Sequence, residues 1–186
     1  MTTFTRALTT AVVCVSTALC LTVPVNAQTW NIDFTANDLA GSNYGAHTKK
    51  DHIGKSASEL RTRLGPNVAC ASSYYTEYDA EYFTNRALSK EDENRRQLGL
   101  MSIRSYLQSQ PVGKYVILRQ YNFTVDPAWF YSIYSRDYGD LYPANGIRVI
   151  AKRVPYTISP DGVNILVSFP DVSVAYSHIC QYGTVN

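Results

Sequence analysis

His47 and His52 lie five residues apart in the stretch Ala46-His47-Thr48-Lys49-Lys50-Asp51-His52-Ile53-Gly54-Lys55. From His47 to Arg63 the chain carries five cations (Lys49, Lys50, Lys55, Arg61, Arg63) against two carboxylates (Asp51, Glu59), a local excess of +3. Imidazole is the side chain best suited to moving protons near neutral pH. Guanidinium and ammonium groups suit the negative charge that builds on a phosphoryl group in a transition state. Together they suit metal-free cleavage of RNA. A base takes the 2′-OH proton, the oxygen attacks the adjacent phosphorus, and an acid protonates the leaving 5′-oxygen. The plainer alternative is a solvated loop whose histidines sit in a charged surface patch. No paired carboxylates accompany the histidines, so a metal-dependent nuclease is weakly supported, and no metal or cofactor is implied. The third histidine, His178, lies far along the chain near Cys180.

Several elements must position these groups. Ser56-Ala57-Ser58-Glu59 forms a capping box and Leu60 and Leu64 stand a turn apart, predicting a helix from Lys55 to Gly65-Pro66. Its N-terminal N–H groups would favour phosphate. Thr76 and Asp79 cap a second helix whose apolar face is Tyr78, Tyr82 and Phe83. A cap pattern from Ser89 to Asp92 suggests a break. A third helix then runs to about Gln108, with Leu100, Ile103 and Leu107 on one side. The period then changes to that of strands: Tyr115–Phe123, Ile147–Val154, Val163–Phe169 and a short one within Val172–Ile179. Asp161-Gly162 between two apolar runs marks a hairpin turn. Residues 127–145 read as a long aromatic loop. Helices followed by strands predict an α+β domain with an antiparallel sheet.

Composition narrows the class. Hydrophobic residues make up 45% and charged residues 17% of the chain, enough for a packed core and against wholesale disorder. The net charge of +2 argues against a strongly basic nucleic-acid coat. Residues 1–27 hold one charge, Arg6, then an apolar run from Ala11 to Val23, then Val25-Asn26-Ala27, which fits signal-peptidase cleavage. The alternative is an uncleaved anchor, for which the apolar run is short. Cys20 follows Leu19 rather than a small residue, which argues against a lipoprotein anchor. Cleavage after Ala27 would take 27 of the 186 residues and leave 159, secreted or periplasmic, with no membrane anchor. Arg6, Cys14 and Cys20 go with the leader. That leaves 16 basic against 15 acidic residues, and Cys70 and Cys180 as a natural disulfide pair. Two free thiols are the alternative; neither cysteine has the spacing of a zinc site. Residues 28–45, rich in Asn, Asp, Gly and Ser, read as a polar leader.

The stretch His52-Ile53-Gly54-Lys55-Ser56-x-x-Glu59-Leu60-x-x-Arg63-Leu64 resembles the opening motif of the bacterial RNase A-like toxin domains found at the C-termini of CdiA-type contact-dependent growth-inhibition proteins. The resemblance continues through Ala71-Ser72-Ser73-Tyr74-Tyr75-Thr76, Ile103-x-x-Tyr106-Leu107, Ile147-Arg148-Val149-Ile150 and Leu166-Val167-Ser168-Phe169-Pro170. It implies an RNase A-like domain over residues 46–171, followed by a C-terminal extension, 172–186, tied by the disulfide. It also implies an active-site histidine and arginine, carried by His52 and Arg63, with Lys55 as a phosphate contact. In such domains the last strand supplies a Thr and, two residues on, a Tyr. Val167 and Phe169 stand there instead, with Ser168 between them. Ser168, through a register shift, or His178 are the candidates to make up the loss, and His47 is a further proton carrier. His178 also reads as a structural or surface residue near Cys180.

The leading expectation is therefore a secreted, metal-independent endoribonuclease, a monomeric toxin or effector with RNA as substrate and an immunity protein as partner. The competing one is a binding module for RNA or protein that kept the fold and lost the chemistry. Tyr74, Tyr75, Tyr78 and Tyr82 read as core and surface of the second helix. Tyr131, Tyr134, Tyr138 and Tyr142 are as easily base-stacking residues. Asn122-Phe123-Thr124 matches a glycosylation sequon within a strand.

Overall fold

The computed structural model describes residues 29–66, 68–118, 133–135, 141–142, 146–171 and 180. The signal segment, the sequon, Tyr131, Tyr138, the strand expected within Val172–Ile179 and His178 lie outside the described residues. Among those described, no helix is long and apolar enough to cross a membrane.

Residues 28–45, expected as a polar leader, instead carry helix α1, Phe34–Gly41, capped by Asp33, whose side chain accepts from the Ala36 N–H. Trp30 and Phe34 are buried in the main core. The polar character misled because its hydrogen bonds are made internally. Trp30 Nε1 donates to Asp92, the Ile32 N–H to Asn85, the Phe34 N–H to Glu81 and the Thr35 hydroxyl to Glu77. These four acceptors share one stripe of a later helix, α4 (Glu77–Gln97).

Helix α2 covers Thr48–His52 and α3 covers Ala57–Thr62, the latter with the expected Ser56/Glu59 capping box. Strand β1, Cys70–Ala71, leads into α4, Glu77–Gln97, capped by Thr76 and Asp79. The break suggested at Ser89 is absent. Ser89 is exposed, where serine costs a helix little, and Phe83, Ala87 and Leu88 anchor the helix in the core. The chain turns later, at Leu98–Gly99, where Gly99 takes φ +69°. Helix α5 is thus only Ile103–Gln108, capped by Ser102. Ile103 and Leu107 are buried, whereas Leu100, expected beside them, is exposed.

Strands β2 (Tyr115–Leu118), β5 (Gly146–Arg153) and β6 (Val163–Asp171) form an antiparallel sheet of order β2-β5-β6. The part of the stretch expected as a loop that is described contains β3 (Ile133–Ser135) and β4 (Leu141–Tyr142). With β1 they make a second antiparallel sheet, β1-β3-β4. Partners distant in sequence supply that pairing, so alternation alone did not reveal it.

Ile147, Val149 and Ala151 of β5 face the core with Ile165 of β6. A bulge between Ile150 and Ala151 leaves Leu166 unpaired in the register, so Ile165 and Ser168, three apart, share the core face. Val167 and Phe169 take the other face, opposite Ile150 and Arg148. The outer edge of β6 is covered by the N-terminal helices. The Asn37 side chain pairs with both backbone groups of Ile165, the His47 N–H bonds the Leu166 carbonyl, and the Thr48 hydroxyl accepts from the Ser168 N–H.

Candidate active site

His52 ends α2, and its backbone is clamped from both sides. The Tyr74 N–H donates to the His52 carbonyl at 2.7 Å, and the Gly54 N–H to the Tyr74 carbonyl at 2.9 Å. Gly54, at φ +65°, makes the turn that allows this. Nδ1 of the imidazole is 3.0 Å from the Ser72 carbonyl oxygen. A carbonyl can only accept, so Nδ1 carries the proton and Nε2 holds the lone pair. Ser72 is itself anchored, its hydroxyl donating to the Pro170 carbonyl at 2.7 Å. His52 is 8% exposed, and its ring stacks on Phe169, with centroids 5.1 Å apart and planes 23° apart.

Burial, and then the positive charge of Arg63, push the His52 pKa down to about 3; the Ser72 carbonyl opposes this, and His47 and Lys55 add to the depression. His52 is therefore neutral at physiological pH, with Nε2 available as a proton acceptor. Arg63, at the C-cap of α3, donates from Nη1 to the Asp51 carbonyl. Lys55 is held by its backbone N–H on the Ser73 hydroxyl at 3.0 Å. His47 stands at the N-terminal boundary of α2 without capping it, its Nδ1 2.6 Å from the Gly45 carbonyl, and its ring centroid lies 5.9 Å from that of His52. The fold therefore brings His47, His52, Lys55 and Arg63 together.

Among the described residues, two other expected features are not brought in. Ser168 lies on the opposite face of β6, fully buried, 2.8 Å from the Tyr74 hydroxyl and 2.6 Å from the Thr84 hydroxyl. The bulge fixes it there, and no register shift brings it to His52. His178 lies outside the described residues. The start of α3, expected as a phosphate seat, is already occupied. The Glu59 carboxylate accepts from the Ser56 N–H and the Ser56 hydroxyl accepts from the Glu59 N–H, in a helix of only six residues. Val167 and Phe169 do face the site side, without hydroxyls.

One residue was not singled out from sequence. Arg148 stands directly opposite Phe169 in the β5–β6 register, with its guanidinium carbon 5.8 Å from that ring. Its Nε and Nη2 both lie 3.0 Å from one oxygen of the buried Asp171. Alternation in β5 places Arg148 on the non-core face, but only the strand register places it beside His52's stacking partner. Asp33, Glu77 and Glu81 bring carboxylate oxygens within 4.8 Å of one another. They are engaged by the Ala36 N–H, by Thr35 and Lys49, and by the Phe34 N–H.

N-terminal helices, a later antiparallel sheet and a clamped histidine beside an arginine define an RNase A-like α+β domain. Residues 46–170 match the bacterial CdiA-CT RNAse A domain, and the chain belongs to that family. It is also similar to a chain in the crystal structure of a CdiA-CT/CdiI complex from Y. kristensenii 33638. The identity is 29%, over 64% of this chain and 94% of that one, with a TM-score of 0.48. No curated protein matches. The family is one of ribonuclease domains of CdiA-type toxins, and membership points to that activity class. Helix α1 precedes the matched span.

Proposed function

We propose that this protein is an exported endoribonuclease that cleaves RNA by 2′-OH transphosphorylation without a metal. The observation that carries the reading is the fixed tautomer of His52 beside Arg63: a neutral imidazole whose Nδ1–H is spent on Ser72 and whose Nε2 can accept a proton. Nε2 takes the 2′-OH proton, the 2′-oxygen bonds to phosphorus, and the P–O5′ bond breaks. The leaving oxygen takes a proton from a second acid, for which His47, 5.9 Å from His52, is the candidate. The products are a 2′,3′-cyclic phosphate and a 5′-hydroxyl. Arg63 and Lys55 supply cations for the crowded phosphorane. The base is weak in the free protein because burial, and then Arg63, depress it. A phosphodiester anion entering beside Arg63 offsets that charge and raises the imidazole's basicity as substrate binds.

Residues 1–27 support the export part of this reading, and the toxin-domain family supports an inhibitory immunity protein as partner. The test is RNA cleavage by the protein in EDTA beside His52→Ala. Cleavage that gives cyclic-phosphate ends and falls by about 10²- to 10⁴-fold in the variant supports the assignment. Equal cleavage by the two proteins sinks it.

A second reading has its own observation. Val167 and Phe169 leave the site side of β6 without a hydroxyl. In that reading the protein is a binding module with weakened or absent chemistry. Tight binding of RNA or protein with no cyclic-phosphate product would establish it.

A further inference from the structure

We propose that Arg148 is a phosphate-binding residue of this site, contacting the RNA backbone from the β5 side. The proposal rests on the ribonucleic-acid reading given above and names a contact for that same site.

Three observations converge. The first is placement: Arg148 and Phe169 are cross-strand neighbours on one sheet face, and Phe169 is the ring on which His52 stacks. The guanidinium is thus one ring away from the imidazole. The second is orientation. Nε and Nη2 both engage one Asp171 oxygen, and Asp171 is 1% exposed, so the guanidinium plane is set by a carboxylate that cannot follow solvent. A guanidinium presents its N–H groups in a rigid fork, and the two bonds to Asp171 fix the plane of that fork. Pre-orientation of this kind lowers the entropy lost on gripping a phosphate. The third is chemical need. Along β6 Phe169 is flanked on this face by Val167, which offers no polar group, and by Asp171, whose carboxylate Arg148 engages, and Ile150 opposite Val167 is apolar too. Arg148 supplies the face with a cation where hydroxyls are missing.

The bland account is that Arg148 only neutralises the buried Asp171. The two accounts differ in what salt does. A single-stranded DNA oligonucleotide lacks the 2′-OH and cannot be cleaved by this chemistry, so its binding can be followed at equilibrium. Loss of one phosphate contact lowers the slope of log affinity against log salt by about 0.7 for single strands. Arg148→Gln should show that reduction and Arg148→Lys should restore it. An unchanged slope in a folded Arg148→Gln protein overturns the proposal, as does failure of the wild type to bind the oligonucleotide.

If Arg148→Gln does not fold, the wild type still decides. The Arg148 Nε–H resonance should shift on adding oligonucleotide. That of Arg104, which is paired with Asp161 and lies over Trp30, should not. A static Arg148 signal under saturating oligonucleotide overturns the proposal. Binding that depends on Arg148 without any RNA cleavage would leave the proposal standing and remove the enzymatic reading, so the two can fail separately.

Discussion

The imidazole of His52 lies on the ring of Phe169, 5.1 Å between centroids and 23° from parallel. This stack, with the Ser72 carbonyl at Nδ1, defines one orientation for the histidine and removes it from water. The site's electrostatics follow from that burial.

The first prediction concerns pH. The His52 pKa falls from 6.5 to about 3 on folding, chiefly by burial. Between those values the unfolded chain binds a proton that the folded chain does not. Stability therefore rises with pH through this window and is lost as pH falls, by at most about 1.4 kcal/mol per pH unit. Denaturant titrations at pH 4, 5, 6 and 7 should show this slope, and His52→Gln should flatten it by one proton. An identical pH slope in the two proteins would refute the assigned burial effect. By the same shift, the acid limb of kcat/KM due to His52 should lie well below pH 6.

The second concerns the strand positions beside the histidine. The double substitution Val167→Thr and Phe169→Tyr keeps the stacking ring and returns hydroxyls to the site side of β6. A well-placed donor to developing charge is worth about 10²- to 10³-fold in kcat. Single-turnover cleavage should rise by up to about a hundredfold, with little change in KM. No increase in a folded double variant would show that these positions do not limit the chemistry.

Ser168 gives the opposite expectation. Its hydroxyl is buried with those of Tyr74 and Thr84, and burial pushes the Tyr74 phenol well above its usual pKa, so Tyr74 stays protonated. Ser168→Ala should destabilise the protein by about 1–3 kcal/mol, because two buried hydroxyls lose a partner. Its kcat below the melting transition should match the wild type. A selective loss of kcat with unchanged stability would return Ser168 to the chemistry.

The Cys70–Cys180 disulfide closes a separation of 110 residues, and both cysteines are buried. Its loss should cost about 2–4 kcal/mol, by freeing the unfolded chain more than the folded one. Denaturant midpoints of Cys70→Ser/Cys180→Ser against the oxidised protein measure this. Coincident curves would show that the link contributes nothing to stability.

Much of this was legible before folding. The capping boxes at Ser56 and Thr76 appear as expected, because a cap is a contact between residues three apart. The Asp161-Gly162 turn, with Gly162 at φ +70° and a cross-chain space too tight for a Cβ, is equally local. The pairing of Cys70 with Cys180 followed from counting the two cysteines left once the expected leader, 1–27, is set aside. The cation-rich cluster around His47 and His52 was visible for the same reason: its members are close in sequence.

What escaped was set by partners far away. Helix α1 looked polar because its environment spends those polar groups on one stripe of α4, some 40 to 60 positions distant. Arg148 joined the site through its register with Phe169, which no feature of β5 alone specifies. Ser168 was placed by the unpaired Leu166. A strand shows its side chains with period two, and one extra residue inverts that period for everything beyond it. Local spacing thus selected the histidines, the cations and the caps. Which residues stand beside His52 was decided by strand register and one bulge, because pairing with a distant strand determines which face a side chain occupies.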